Sequence, residues 1–98
     1  MTDDLRDLAR AVCDEATFIG FVRALGEDWE DERTKEALSP SSPYGPGANG
    51  WENGSIGAFL ESASAWADAS INGLPGYAVP SNPWRRCAEI LLMGKHYE

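Results

Sequence analysis

Residues 55–67, SIGAFLESASAWA, decide the fold class. Ile56, Phe59, Leu60, Ala63, Trp66 and Ala67 recur at intervals of three and four, the period of one helix face, where a strand would need strict alternation. Ser55 stands where an N-cap belongs. On the other side Ser62, Ser64, Ala65 and Ala69 are small or polar, open to a close neighbouring backbone or to water.

Working outward, the same rhythm returns three times. Leu5, Leu8, Ala9 and Val12 predict a short helix over residues 4–12. Asp14 predicts the N-cap of a second helix, with Glu15 in its first turn and Cys13 and Phe18 as a hydrophobic staple. There Phe18, Phe21, Val22, Leu25 and Trp29 form the core-facing stripe. Beyond Trp29 the stripe stops, and EDERTKEA, held by pairs such as Asp31–Lys35 and Glu30–Arg33, is expected to be a solvated extension ending before Pro40. Gly20 and Gly26 weaken this helix, and a kink near Gly26 is possible on that ground. Asn82-Pro83 predicts the start of a last helix, with Trp84, Cys87, Ala88, Leu91 and Leu92 on its stripe and Lys95 and His96 where cations suit the helix dipole.

Between these runs lie two breakers. Residues 39–54 carry Pro40, Pro43, Pro46, Gly45, Gly47, Gly50 and Gly54, which propagate neither a helix nor a strand ladder. Residues 71–81, INGLPGYAVPS, form a second connector that Leu74, Tyr77 and Val79 can pin. The expected architecture is one all-α domain spanning residues 1–98, a bundle of three or four helices with a long Pro/Gly-rich central loop.

Sixteen acidic against eight basic residues give a net charge of −8 and a pI near 4.5. Such a chain repels nucleic-acid phosphates and anionic membrane surfaces, so any partner is expected to be basic, with neither nucleic acid nor membrane involved. The start, MTDDLRDLARAV, is acidic and lacks an apolar signal region, which points to the cytoplasm. In that reducing setting Cys13 and Cys87 are expected to be thiols serving as small core residues.

Chemistry is sparse. One histidine, His96, is too little for a hydrolytic triad, and no Cys-x-x-Cys, His-x-x-x-His or Asp-rich calcium loop suggests a metal. The expectation is a protein without catalytic residues or cofactor. Three features exceed what a plain bundle needs. Glu27, Asp28, Glu30, Asp31, Glu32 and Glu36 crowd one run, either as a solvated face or as a patch steering a basic protein. Tyr44 and Trp51 either anchor the central loop or present it to a partner. Arg85 and Arg86 oppose the helix dipole and call for a counter-charge, Glu89 or Glu52, or for a bound anion.

The primary expectation is a non-enzymatic protein-interaction domain, inhibitor-like in size and acidity, whose partner face comprises Glu27, Asp28, Glu30, Asp31, Tyr44 and Trp51. The alternative is a small-molecule or anion-binding protein, or a minor enzyme. Its cleft would lie between the third and fourth helices, using Trp66, Trp84, Arg85 and Tyr97 with Glu52 and Asn53 nearby. Trp66 and Trp84 also fit the core, and a homo-oligomer covered by the loop is a third possibility.

GWENGSIGAFLESASAWADAS, followed by NPWRRCAEILLMGKHYE, resembles a family of small acidic bacterial proteins of unknown function. The resemblance runs over residues 14–98 and rests on Trp51-Glu52-Asn53, on Phe59-Leu60-Glu61 leading to Trp66 and Asp68, and on Trp84, Ala88, Leu91, Lys95, Tyr97 and Glu98. It implies no reaction or ligand. Glu52, Asn53, Asp68, Lys95 and Glu98 fit two roles equally: tying the helix ends together or holding a ligand.

Overall fold

The computed structural model describes residues 2–97, with side chains from Leu5 to Tyr97. Glu98, part of the signature, lies outside the described residues. Four helices follow in order: α1 (Thr2–Ala11), α2 (Glu15–Leu38), α3 (Ile56–Ile71) and α4 (Pro83–His96), with no strand among the described residues. The all-α expectation holds.

Helix starts follow their caps. The Asp14 carboxylate accepts the Thr17 N–H at 2.9 Å while the Thr17 hydroxyl oxygen accepts the Asp14 N–H at 3.1 Å, a reciprocal box centred on Thr17. Ser55 caps α3 by accepting the Ala58 N–H at 3.1 Å, and Asn82 caps α4 with Pro83 in its first turn. The helix α2 runs unbroken through Gly26.

Helix α4 is the hub. It packs on each of the other three helices, most extensively on α3, whereas α2 and α3 share no close backbone contact among the described residues. The core gathers Leu5, Ala9 and Val12 of α1, Phe21 and Leu25 of α2, Ala88 and Leu92 of α4, and Trp51 from the loop. Where α3 crosses α4, Gly94 lets the backbones close: a Cβ there would lie 3.0 Å from the Phe59 carbonyl oxygen and 2.9 Å from its ring.

Several side chains that the helical period assigns to the core are not covered. Leu8 of α1 is exposed, and so are Val22, Ile56 and Leu60, the latter three because α2 and α3 stand apart on α4 and leave the flanks of their stripes without a neighbour. Trp84 is 36% exposed and rests one face on Phe18, ring centroids 5.6 Å apart, so it belongs to the periphery. Cys13 and Cys87 are exposed free thiols, since the α4 face that includes Cys87 lies off the packed side. Lys95, expected near the C-terminal end of the last helix, lies there and is fully buried.

Alanine at Gly94 would gain helix propensity in solution, but here the Phe59 backbone blocks it. Gly94→Ala is expected to destabilise the protein by about 1–3 kcal/mol, read from the shift in a urea unfolding midpoint at constant slope.

Candidate functional site

The candidate site is the gap between α2 and α3, and its floor is made by the central loop. That loop is held by carboxylates of α2 rather than by apolar burial alone. Glu32, 1% exposed, accepts the Asn49 N–H at 2.8 Å and the Trp51 N–H at 3.3 Å on Oε1, and the Arg33 guanidinium at 3.0 Å on Oε2. The Asn49 side chain donates to the Asp28 carbonyl and the Asp31 carboxylate, both at 3.0 Å, and accepts from Lys35 at 2.8 Å. Lys35 also pairs with Asp31 at 2.9 Å, whereas Arg33 turns to Glu32 instead of Glu30. Ser41 donates its N–H to Glu36 at 2.7 Å. Gly47 lies against Glu32 so closely that a Cβ would fall 2.3 Å from the carboxylate carbon. The expected solvated extension of α2 is thus the receptor for the loop, because each unpaired loop N–H needs an acceptor and these acids supply it.

Asp28 is the pivot. Its Oδ2 accepts the Trp51 indole N–H at 2.9 Å and the Lys95 ammonium at 2.6 Å. Lys95 also lies 5.5 Å over the Trp51 ring, and its carbonyl accepts the Glu52 N–H at 3.0 Å. Trp51 meets Trp29 edge-on at 5.1 Å and Phe59 at 6.0 Å between ring centroids. Next to it the Asn53 amide donates to the Gly94 and Tyr97 carbonyls, both at 2.9 Å, closing the end of α4.

Above this floor opens a cavity of about 490 Å3, lined by Val22, Leu25, Gly26 and Trp29 of α2, residues 51 and 53–55 of the loop, Ile56, Phe59 and Leu60 of α3, and Leu91 of α4. Its rim is the uncovered apolar set: Val22 is 41% exposed, Leu60 56% and Ile56 81%. Glu27 and Glu30 follow the lining residues Gly26 and Trp29 by one position; they and Arg23 are exposed on α2 outside the lining, on its solvent side.

The expected partner face is therefore divided. Glu27, Glu30, Asp31 and Tyr44 are exposed, Tyr44 almost completely, whereas Trp51 is buried and Asp28 is engaged with it and with Lys95. Those two are corrected from contact residues to the anchor beneath the groove, since an indole N–H and an ammonium both need the carboxylate inside. The expected cleft between α3 and α4 does not form from its named residues. Trp66 packs against Tyr77 and Arg86, Trp84 against Phe18, Arg85 donates to the Val12 carbonyl at 3.4 Å, and Tyr97 caps α4 beside Asn53. Arg86 finds its compensation at the C-terminal end of α3, donating to the Ser70 hydroxyl at 2.8 Å and the Ala67 carbonyl at 3.2 Å, while Glu89 accepts the Tyr77 hydroxyl. Glu52 lies exposed between the two anchors Trp51 and Asn53. The rim residues Val22, Ile56 and Leu60 were legible as apolar, but the period alone gives no sign that they lack cover.

His96 lines neither this cavity nor the smaller one beside α1. Its Nε2 is buried without a partner among the described residues, and burial pushes its pKa below the usual 6.5, with the Lys95 and Arg6 charges adding to the effect and the Gly50 backbone and Asp28 opposing it.

The model of a family of unknown function, DUF7660, matches residues 14–98, and the chain belongs to that family. Nothing among curated proteins or solved structures matches the chain. The matched residues include the whole floor and rim of the groove, and exclude α1.

Two measurements check this site. Asp28→Asn leaves the Lys95 ammonium buried without its counter-charge and is expected to cost about 3–5 kcal/mol in denaturant unfolding. Lys95→Met is expected to cost less, because Asp28 keeps the Trp51 and Asn49 donors. For His96, the unfolded chain takes up a proton at a higher pH than the folded one, so stability is complete above about 6.5 and falls as the pH drops toward the depressed folded value. His96→Gln is expected to flatten that part of a stability-versus-pH curve, leaving the carboxylate titrations below about pH 4.5 unchanged.

Proposed function

We propose that this DUF7660 member is a non-enzymatic, cytoplasmic protein-interaction domain whose partner lays an apolar helical segment with basic flanks into the groove between α2 and α3. The observation that carries the reading is the convergence of the uncovered side chains Val22, Ile56 and Leu60 on the rim of one apolar cavity. A contiguous apolar surface of this kind on a folded domain marks an interaction site. An amphipathic helix with anchors at every third or fourth position is a recurrent occupant of such a groove.

Two further features support the same partner chemistry. The floor is preorganised by Asp28, Lys95 and Trp51, so docking requires little ordering of the loop. Glu27 and Glu30, exposed on the helix that forms one wall of the groove, on a chain of net charge −8, favour the approach of a basic segment, with Arg23 an opposing charge on the same helix. The exposed thiols Cys13 and Cys87 suit a reducing compartment.

Photo-cross-linking in the cells that make the protein tests this. A photoreactive phenylalanine analogue at Leu60 is expected to give a defined protein adduct, and the same analogue at Val79, exposed but outside the groove, is not. Glu27→Lys with Glu30→Lys should lower the Leu60 yield several-fold, in line with lost steering, without changing the helical circular dichroism. Absence of a Leu60 adduct, or identical adducts from both positions, would overturn the reading.

A further inference from the structure

A second cavity, of about 290 Å3, shares no lining residue with the groove and is lined by α1, Trp66 of α3, the α3–α4 connector and α4. Its size sits at the lower end of ligand cavities, roughly 300 Å3. Trp66 and Met93 contribute apolar wall, and Arg6 and Arg10, one helical turn apart on α1, are exposed on the side of α1 that borders it. Arg6 has no ion-pair partner among the described residues, and Arg10 has only a 3.8 Å pair with Asp7 in which both side chains are about three-quarters exposed. A pair so exposed contributes almost nothing. The Trp66 ring is buried, and its indole N–H has no hydrogen-bond acceptor among the described residues without being a fully buried orphan, a place taken by His96 Nε2 alone among them. By contrast the Tyr77 hydroxyl is already satisfied, donating to Glu89 and accepting from Arg86.

In a chain with twice as many acids as bases, two exposed guanidiniums that have no buried counter-charge among the described residues stand beside an aromatic cavity. Guanidinium groups hold carboxylates through paired charge-assisted hydrogen bonds, and the wall behind them calls for a ring or short apolar body. Glu89 in the same wall opposes a second negative charge, which favours a monoanion over a phosphate dianion. We propose that this cavity binds a small carboxylate, its ring against Trp66 and Met93 and its carboxylate held by Arg6 and Arg10. The site lies apart from the groove and stands or falls independently of the protein-interaction role.

Benzoate, benzyl alcohol and acetate serve as probes in an NMR titration of the full chain. Benzoate is expected to shift the Trp66 indole N–H saturably while the Trp29 and Trp51 indoles stay in place. Arg6→Gln with Arg10→Gln, both exposed positions, should keep the spectrum of the folded protein and weaken benzoate roughly tenfold or more. Benzyl alcohol lacks the charge and acetate the ring, so each should bind more weakly than benzoate. The assignment is overturned if benzoate leaves Trp66 unmoved or moves Trp29 and Trp51 instead, if the double substitution leaves its affinity unchanged, or if acetate binds as well as benzoate.

Discussion

The Lys95 ammonium is removed entirely from water and faces the Asp28 carboxylate at 2.6 Å, and the remaining architecture depends on that contact. Burying either charge alone would be strongly unfavourable, so the pair forms only if the end of α4 and the middle of α2 come to one place together. The Trp51 indole N–H shares the same carboxylate oxygen, which brings the central loop into the arrangement. Three elements distant in sequence are thereby tied at a single atom.

This explains why so many acids lie on the second half of α2. Asp28, Asp31, Glu32 and Glu36 each accept a hydrogen bond from residues 41–51, so much of the acidic run is spent internally on a segment with no ladder of its own. Gly47 has its place in that arrangement, because only a residue without a Cβ allows the loop so near to Glu32. The acids left outward, Glu27 and Glu30 among them, stay exposed on the same helix as the groove's α2 wall and would supply the proposed steering.

With α4 as hub, α2 and α3 need not touch each other, and the space between them becomes a groove with a rigid aromatic floor. On a different face α1, which lies outside the residues matched by the family, closes the cavity with Arg6 and Arg10. The two cavities differ in chemistry: the groove is lined by apolar and neutral residues, and the pocket by α1 has Trp66 and Tyr77 in its wall with Arg6, Arg10 and Glu89. The proposed helix-binding groove and the proposed carboxylate site would thus lie on separate surfaces of one small chain.

Sequence by itself determined the all-α class and the starts of the last three helices. Capping at Asp14, Ser55 and Asn82 and a 3.6-residue period are local properties, set by groups within one or two turns of each other. It also pointed to Trp51 and Asn53 as residues beyond ordinary packing. Tertiary structure alone decided which side of each apolar stripe is covered, leaving Val22, Ile56 and Leu60 outside, and which charges are internal, taking Lys95, Asp28 and Glu32 inside. The reason is physical: a periodic pattern fixes the direction in which a side chain leaves its helix, but cover and counter-charge come from segments 17 to 67 residues away, whose approach no local preference encodes.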